Sequence, residues 1–168
     1  QARIDMEDDM TLFVIDVPII EDNKEEKVYT TMPLGLIVVR DEFFITVSLK
    51  KNRIIDNFEK GRIKGMYTYK KTRFVLQILY LNASYYLTDL KRINKSAENT
   101  VGVLKRTMKN EELIQLLNLE NSLVYITTSL KANELVMEKT ARGKILKSYE
   151  EDDEILEDAI IENRQAIE

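Results

Sequence analysis

The apolar positions between residues 72 and 142 recur at alternating spacings of three and four. The first half carries Tyr86, Leu90, Ile93, Ala97, Thr100 and Leu104, and the second half carries Leu116, Leu119, Leu123, Ile126, Leu130, Asn133 and Met137. This spacing keeps a narrow stripe on one face of a helix, as in a coiled coil or a long helical hairpin. The pattern therefore predicts two antiparallel helices of about 30–35 residues, each about 45–50 Å long. Because this is too long to bury against a small domain, we expect the hairpin to project or to pack against other copies.

Three features qualify this hairpin. The stretch 74–81 is apolar nearly all round, so we expect this end to be buried against other structure. The polar residues around 99–102 are a weak point, where the first helix either bends, ends early or continues. Asn133 falls within the second stripe. It either fixes the pairing of the helices as a buried polar residue or lies at a wet edge.

Upstream of the hairpin, short apolar runs predict strands at 11–17, 34–40 and 43–49. We expect Pro18 to stop the first strand, since proline lacks the N–H that a sheet needs. The segment 21–27 is a charged loop in this interpretation, and residues 41 and 42 connect a hairpin. A short helix is predicted from Asn52 to Lys60, ending at Gly61. So small a sheet is marginal alone, so we expect further strands before Gln1.

A third helix is predicted after Gly143, with Ser148 as its N-cap. Its first turn contains Glu150, Glu151 and Asp152, where the helix dipole favours negative charge. Its apolar positions continue to Ile167. We therefore expect this helix to continue beyond the last residue of the sequence.

Composition removes several classes of chemistry. The 168 residues include no cysteine and no histidine. Disulfides, thiol nucleophiles and zinc–thiolate sites are excluded, and so are the commonest general base and the commonest transition-metal ligand. A bound metal would have to be a hard cation held by oxygen atoms. No apolar run reaches the length of a membrane span.

Charge is unevenly distributed along the chain. The net charge is −4, yet residues 148–168 contain nine acids and one base, so the first 147 residues are net positive. Seven of the nine residues at 150–158 are acidic. They either form a solvated helix face or hold a divalent ion between helices that would otherwise repel one another.

The order of elements resembles the cytoplasmic part of the CorA family of magnesium and cobalt transporters. The resemblance is carried by residues 2–8 before the first strand, by the strand–turn–strand at 38–47 and by the acidic helix at 154–168. The family's Gly-Met-Asn motif is absent, as we expect for a piece that ends before the membrane spans.

The resemblance implies a fold, a partition of the chain and an assembly. The fold class is α/β of the α+β kind, with a small mixed or antiparallel sheet, two long antiparallel helices and the start of a long stalk helix. The segments are the sheet region at 1–71, the helical hairpin at 72–146 and the stalk at 147–168. The family forms homopentamers in the cell inner membrane, and this part lies in the cytoplasm.

The resemblance also implies a regulatory Mg²⁺ bound between neighbouring domains, with the main site outside this sequence. Asp158 is similar to an acid that the family uses near the start of the stalk. Its usual partners are replaced here by Ser84 and Tyr85, and Asp89 lies one turn further along. Asp153 in the acidic run completes the candidate metal ligands, and no catalytic or cofactor-binding residue is predicted.

The implied function is a cytoplasmic ion-sensing and gating domain of a transporter for Mg²⁺ or Co²⁺, not an enzyme. One alternative is the same scaffold in a zinc transporter, and another is a coiled-coil adaptor or oligomerisation protein without an ion. The basic residues at 91–109 are better explained as solvated hairpin flanks than as a nucleic-acid or membrane-surface patch. The net charge of residues 84–112 is only +2, and tryptophan and clustered aromatics for base stacking are missing. Contact with a membrane is expected only through segments after residue 168.

Overall fold

The computed structural model describes residues 2–23, 26–40, 42–107, 109–143, 145–146 and 149–168. Four strands come first: β1 (Arg3–Glu7), β2 (Met10–Asn23), β3 (Glu26–Val39) and β4 (Phe43–Ser48). Four helices follow: α1 (Arg53–Glu59), α2 (Lys71–Thr107), α3 (Asn110–Gly143) and α4 (Glu150–Ile167). The strands form one antiparallel sheet in the order β1-β2-β3-β4. The predicted α+β fold class is confirmed, with an antiparallel sheet.

The strand boundaries correct the sequence prediction at Pro18. β2 continues through this proline to Asn23, and β1 was not predicted at all. Pro18 is tolerated because β1 pairs with β2 only as far as Val14, so the rest of β2 has β3 as its one neighbour. A missing N–H costs no ladder bond when it faces an open edge. The predicted charged loop at 21–27 is also wrong, since its described part belongs to β2 and β3; residues 24 and 25 lie outside the described residues.

One face of the sheet packs against the helices. Its fully or almost fully buried side chains are Phe13, Ile15, Val17, Met32, Leu34, Leu36 and Val38. They meet the start of α2, where Val75, Leu76, Ile78 and Leu79 are also buried. The same core includes Leu156 and Ala159 of α4, so it draws on all three predicted segments. The prediction that the apolar start of the first long helix is buried is confirmed.

The long hairpin forms as predicted. α2 is an unbroken helix through residues 99–102, and α3 begins three residues after α2 ends. The predicted stripes face inward: Tyr86, Ile93, Leu119, Ile126 and Leu130 form a second buried cluster. Farther out, the Thr100 hydroxyl donates to Oε1 of Gln115 at 2.9 Å and so joins the two helices.

α4 lies against both helices of the hairpin and runs in the same direction as α2. Arg73 Nη2 of α2 lies 3.2 Å from Glu151 Oε2, and the Ser84 hydroxyl donates to Glu162 Oε2 at 3.4 Å. Both pairs are separated by 78 residues, which fixes the parallel direction. Arg164 Nε lies 2.7 Å from Glu134 Oε1 and ties α4 to α3. In the described part of the chain, no helix combines the length and apolarity required to cross a bilayer.

Candidate functional site

The first turn of α4 is anchored by one of its own acids. Asp152 is only 3% exposed. Its Oδ2 accepts from the backbone N–H of Tyr149 at 3.2 Å, and its Oδ1 lies 3.3 Å from Arg73 Nε. The carboxylate therefore caps the helix and neutralises a cation of α2. The predicted cap, Ser148, lies outside the described residues.

The other acids of this run face outward. Glu151 is exposed and pairs with Arg73, and five further acids are exposed as well: Glu150, Asp153, Glu154, Glu157 and Asp158. At about 100° per residue, these five positions fall within about 140° of the helix circumference. None of them forms an ion pair with another residue that the structure describes. We call these five residues the acidic face of α4.

Repulsion is built into this face by the helix repeat. Asp153 and Glu157 are four residues apart, and so are Glu154 and Asp158. Side chains at this spacing are neighbours on a helix, and like charges there destabilise it. Two carboxylates at such a distance also offer the number of acidic ligands that Mg²⁺ uses when it keeps most of its waters.

Asp153 also borders a cavity between α4, the end of α3 and the start of α2. The cavity has a volume of about 540 Å³ and an apolar floor that includes Leu76, Leu156 and Ile160. Its charged lining consists of three acids, Asp153, Glu157 and Glu138, and two cations, Arg142 and Arg164. The cavity therefore has a polar edge of mixed charge over an apolar base.

The third predicted ligand, Asp89, is placed differently. Its side chain is 1% exposed and accepts hydrogen bonds from Arg53 through both oxygens and from Arg92 Nη1 at 3.3 Å. The Arg53 guanidinium in turn lies 4.3 Å from the ring centroid of Tyr85. Two guanidinium groups thus neutralise the charge of Asp89 without a metal.

The three candidate ligands are not brought together. Asp153 and Asp158 share the acidic face of α4, whereas Asp89 is buried on α2. Within the described ranges, no group of three or more acidic side chains has the geometry to hold a metal ion. The rest of a coordination shell would be supplied by water molecules or by ligands from another chain.

A second polar cluster, which the sequence analysis did not identify as a unit, surrounds the backbone of Asp16. Asn133 Oδ1 accepts from the Asp16 N–H at 2.9 Å, and Asn133 Nδ2 donates to the Asp16 carbonyl at 2.7 Å. Asn82 and Tyr86 each donate to the same carbonyl at 3.0 Å. The helices therefore occupy the edge of β2 just beyond the end of its pairing with β1. Asn133 is buried, but its bonds go to β2 and not to the paired helix. The only sequence signal was a polar residue within an apolar stripe.

Burial affects the titration of two groups in this cluster. Desolvation raises the pKa of the Asp16 carboxyl above its usual value, although a hydrogen bond from Ser129 opposes the shift. Desolvation also raises the pKa of the Tyr86 phenol, which stays protonated. The cluster is a structural joint between sheet and hairpin, and the exposed acids of α4 are the candidate functional site.

Comparison with solved structures identifies the architecture. The soluble domain of CorA from Methanocaldococcus jannaschii superposes with a TM-score of 0.84 at 24% identity, over 99% of this chain and 66% of that chain. The complete CorA magnesium transporter from the same organism gives 0.83 at 22% identity, over 99% and 52%. The ZntB cytoplasmic domain from Vibrio parahaemolyticus RIMD 2210633 gives 0.64 at 10% identity, over 99% and 70%.

These likenesses show a shared fold, and the chain spans about half the length of the complete transporter that it matches. No curated protein sequence is similar enough to count as a relative. A family model described as CorA-like Mg2+ transporter protein matches residues 1–168, the whole chain. The chain therefore belongs to the CorA-like Mg²⁺ transporter family.

Proposed function

We propose that this chain is the cytoplasmic ion-sensing and gating domain of a CorA-type divalent-cation transporter. The observation that carries the proposal is the acidic face of α4, five exposed carboxylates that pair with no described cation, in a chain of the CorA-like family. In this proposal Asp153 and Asp158, at the two edges of this face, each contribute to a Mg²⁺ site that is completed by a neighbouring copy. Asp89, already held by two arginines, acts as a structural anchor of α2.

The mechanism follows from electrostatics. Acidic faces brought near one another in an assembly repel, and a divalent ion between them offsets that repulsion. An ion that binds the closed arrangement more tightly than the open one shifts the population toward the closed arrangement. Because α4 packs along the hairpin and over the sheet core, a change in the distance between the α4 helices of neighbouring copies is transmitted to both.

The wider assignment rests on the family. We propose a homopentamer in the cell inner membrane with this domain in the cytoplasm, and Mg²⁺ or Co²⁺ as the transported ion. A zinc transporter is the second candidate, because the chain shares the fold of the ZntB cytoplasmic domain. The domain itself performs no chemical reaction in this proposal, and it binds no nucleic acid.

A Mg²⁺ titration of the 168-residue chain tests the site. A ligand that binds the folded state raises the melting temperature, so millimolar MgCl₂ should raise the melting temperature of the wild type. The double variant Asp153→Asn/Asp158→Asn should lose most of that increase. The matched control Glu98→Gln/Glu120→Gln removes two exposed acids of the hairpin and should keep it.

Two results would contradict the proposal. One is a wild-type melting temperature that is the same with MgCl₂ and with EDTA. The other is an equal response in the Asp153/Asp158 variant and in the control, which would indicate general screening of charge. Repeating the titration with ZnCl₂ and CoCl₂ ranks the candidate ions.

A further inference from the structure

The end of the hairpin has a surface chemistry of its own. Residues 101–110, here called the hairpin apex, contain three cations and no acid, and two acids, Glu111 and Glu112, follow in the first turn of α3. Lys105, Arg106 and Lys109 are all exposed. None of the three forms an ion pair with another residue of the described ranges, whereas Arg40 and Arg164 do.

Apolar side chains accompany these cations. Val101 and Val103 are 37% and 45% exposed, and the first turns of α3 add Leu113, Ile114 and Leu117 at 48–57%. Exposed aliphatic groups beside lysine and arginine suit the interface of a bilayer with negatively charged headgroups.

The direction of α4 places this apex. Since α4 runs parallel to α2 with an offset of 78 residues, the end of α4 lies level with residue 89 of α2. The remaining 18 residues of α2 extend about 27 Å farther in the direction in which α4 points. In the proposed function α4 is the start of the stalk that leads toward the pore, so the membrane lies on the side toward which α4 points.

The acidic face of α4 on a second copy of the chain is an alternative partner for the apex. That face presents five carboxylates, but Ile161 is the only large apolar side chain among the strongly exposed residues of α4. The acidic face therefore complements the positive charge of the apex, but it offers no apolar surface to the apolar side chains of the apex. A lipid surface matches both.

We propose that the hairpin apex docks on the anionic surface of the membrane, a contact that rests on the proposed function for its orientation. Lys105, Arg106 and Lys109 attract the headgroups, and the neighbouring valine and leucine side chains enter the interface. Each hairpin would then link the sensing domain to the bilayer at a point away from the pore.

Co-sedimentation of the 168-residue chain with lipid vesicles tests this contact. We expect binding to vesicles of phosphatidylcholine with phosphatidylserine, little binding to phosphatidylcholine alone, and release by high salt. The variant Lys105→Glu/Arg106→Glu/Lys109→Glu should bind the anionic vesicles at least about tenfold more weakly. Circular dichroism confirms that it is folded.

The matched control is Arg62→Glu/Lys64→Glu/Lys139→Glu, which makes the same change in net charge at exposed positions outside the apex. It should keep binding within about twofold of the wild type. Equal loss in both variants, or no binding by the wild type, overturns the proposal. Unchanged vesicle binding by the apex variant with a lower mass in vesicle-free solution also overturns it, in favour of a second copy. The Mg²⁺ response of the melting temperature reports separately on the proposed function.

Discussion

At the scale of single residues, Asp16 shows how the sheet and the hairpin are joined. Its backbone lies in β2 beyond the last residue paired with β1. An unpaired buried N–H or carbonyl would cost about 1–3 kcal/mol. Asn133, Asn82 and Tyr86 supply the partners that a further strand residue would supply. Side chains of α2 and α3 thus take the hydrogen-bonding positions at this edge of β2.

Replacing Asn133 by alanine tests this joint. The Asp16 N–H loses the hydrogen-bond acceptor that Asn133 provides, while its carbonyl keeps Asn82 and Tyr86. We expect a loss of about 2–4 kcal/mol in the free energy of unfolding, measured with urea. Asn121→Ala, at an exposed position of the same helix, should change it by less than about 0.5 kcal/mol. Equal effects of the two substitutions would contradict the assignment.

The Asp16 carboxyl predicts a pH dependence. Its pKa is raised in the folded state by burial, so in the window above the usual value of 3.8 the folded protein holds more protons than the unfolded chain. Stability from this group therefore falls as pH rises through that window. Asp16→Asn should be more stable than the wild type at pH 7, and the difference should shrink as the pH falls toward 3.8. A difference that grows in acid would show the opposite sign of shift.

At the scale of elements, the long helices could be predicted and the sheet only in part. Alternating spacings of three and four report helix packing directly, and every stripe residue from Tyr86 to Met137 is partly or fully buried. β1 was missed because it is five residues long and mostly charged or exposed. The length of β2 was missed because Pro18 is tolerated only where it faces an open edge of the sheet. Which positions lie at an edge is decided by the assembled sheet and cannot be read from the local sequence. The arginine partners of Asp89 were missed for the same reason, since Arg53 lies 36 residues away.

Gly102 tests the continuity of α2, and Gly61, which follows α1, gives the opposite expectation. Gly102 lies inside α2, and a Cβ added there meets no atom within 4 Å. Gly102→Ala should therefore stabilise the helix by up to about 1 kcal/mol, seen as slower amide exchange in the outer half of the hairpin. Gly61 has a φ of +62°, so Gly61→Ala should destabilise the protein. Faster exchange in Gly102→Ala would indicate that α2 is interrupted there.

At the scale of the whole molecule, charge and shape are segregated. A core of sheet and helix ends anchors the chain, α4 turns its carboxylates outward, and the hairpin apex holds three cations about 27 Å beyond the end of α4. Within the described chain, no three acidic side chains lie close enough together to hold one metal ion. The acidic run could be located from the sequence. The separation of Asp89 from Asp153 and Asp158 could not, because it depends on how α2 and α4 are oriented in the folded chain.

The proposed function therefore requires that ion binding and self-association occur together. Sedimentation equilibrium of the 168-residue chain in millimolar MgCl₂ and in EDTA measures this coupling directly. We expect a larger average mass in MgCl₂, and we expect Asp153→Asn/Asp158→Asn to remove the dependence on the ion. An average mass that is the same in both buffers, or one that responds to MgCl₂ equally in the variant, would contradict it.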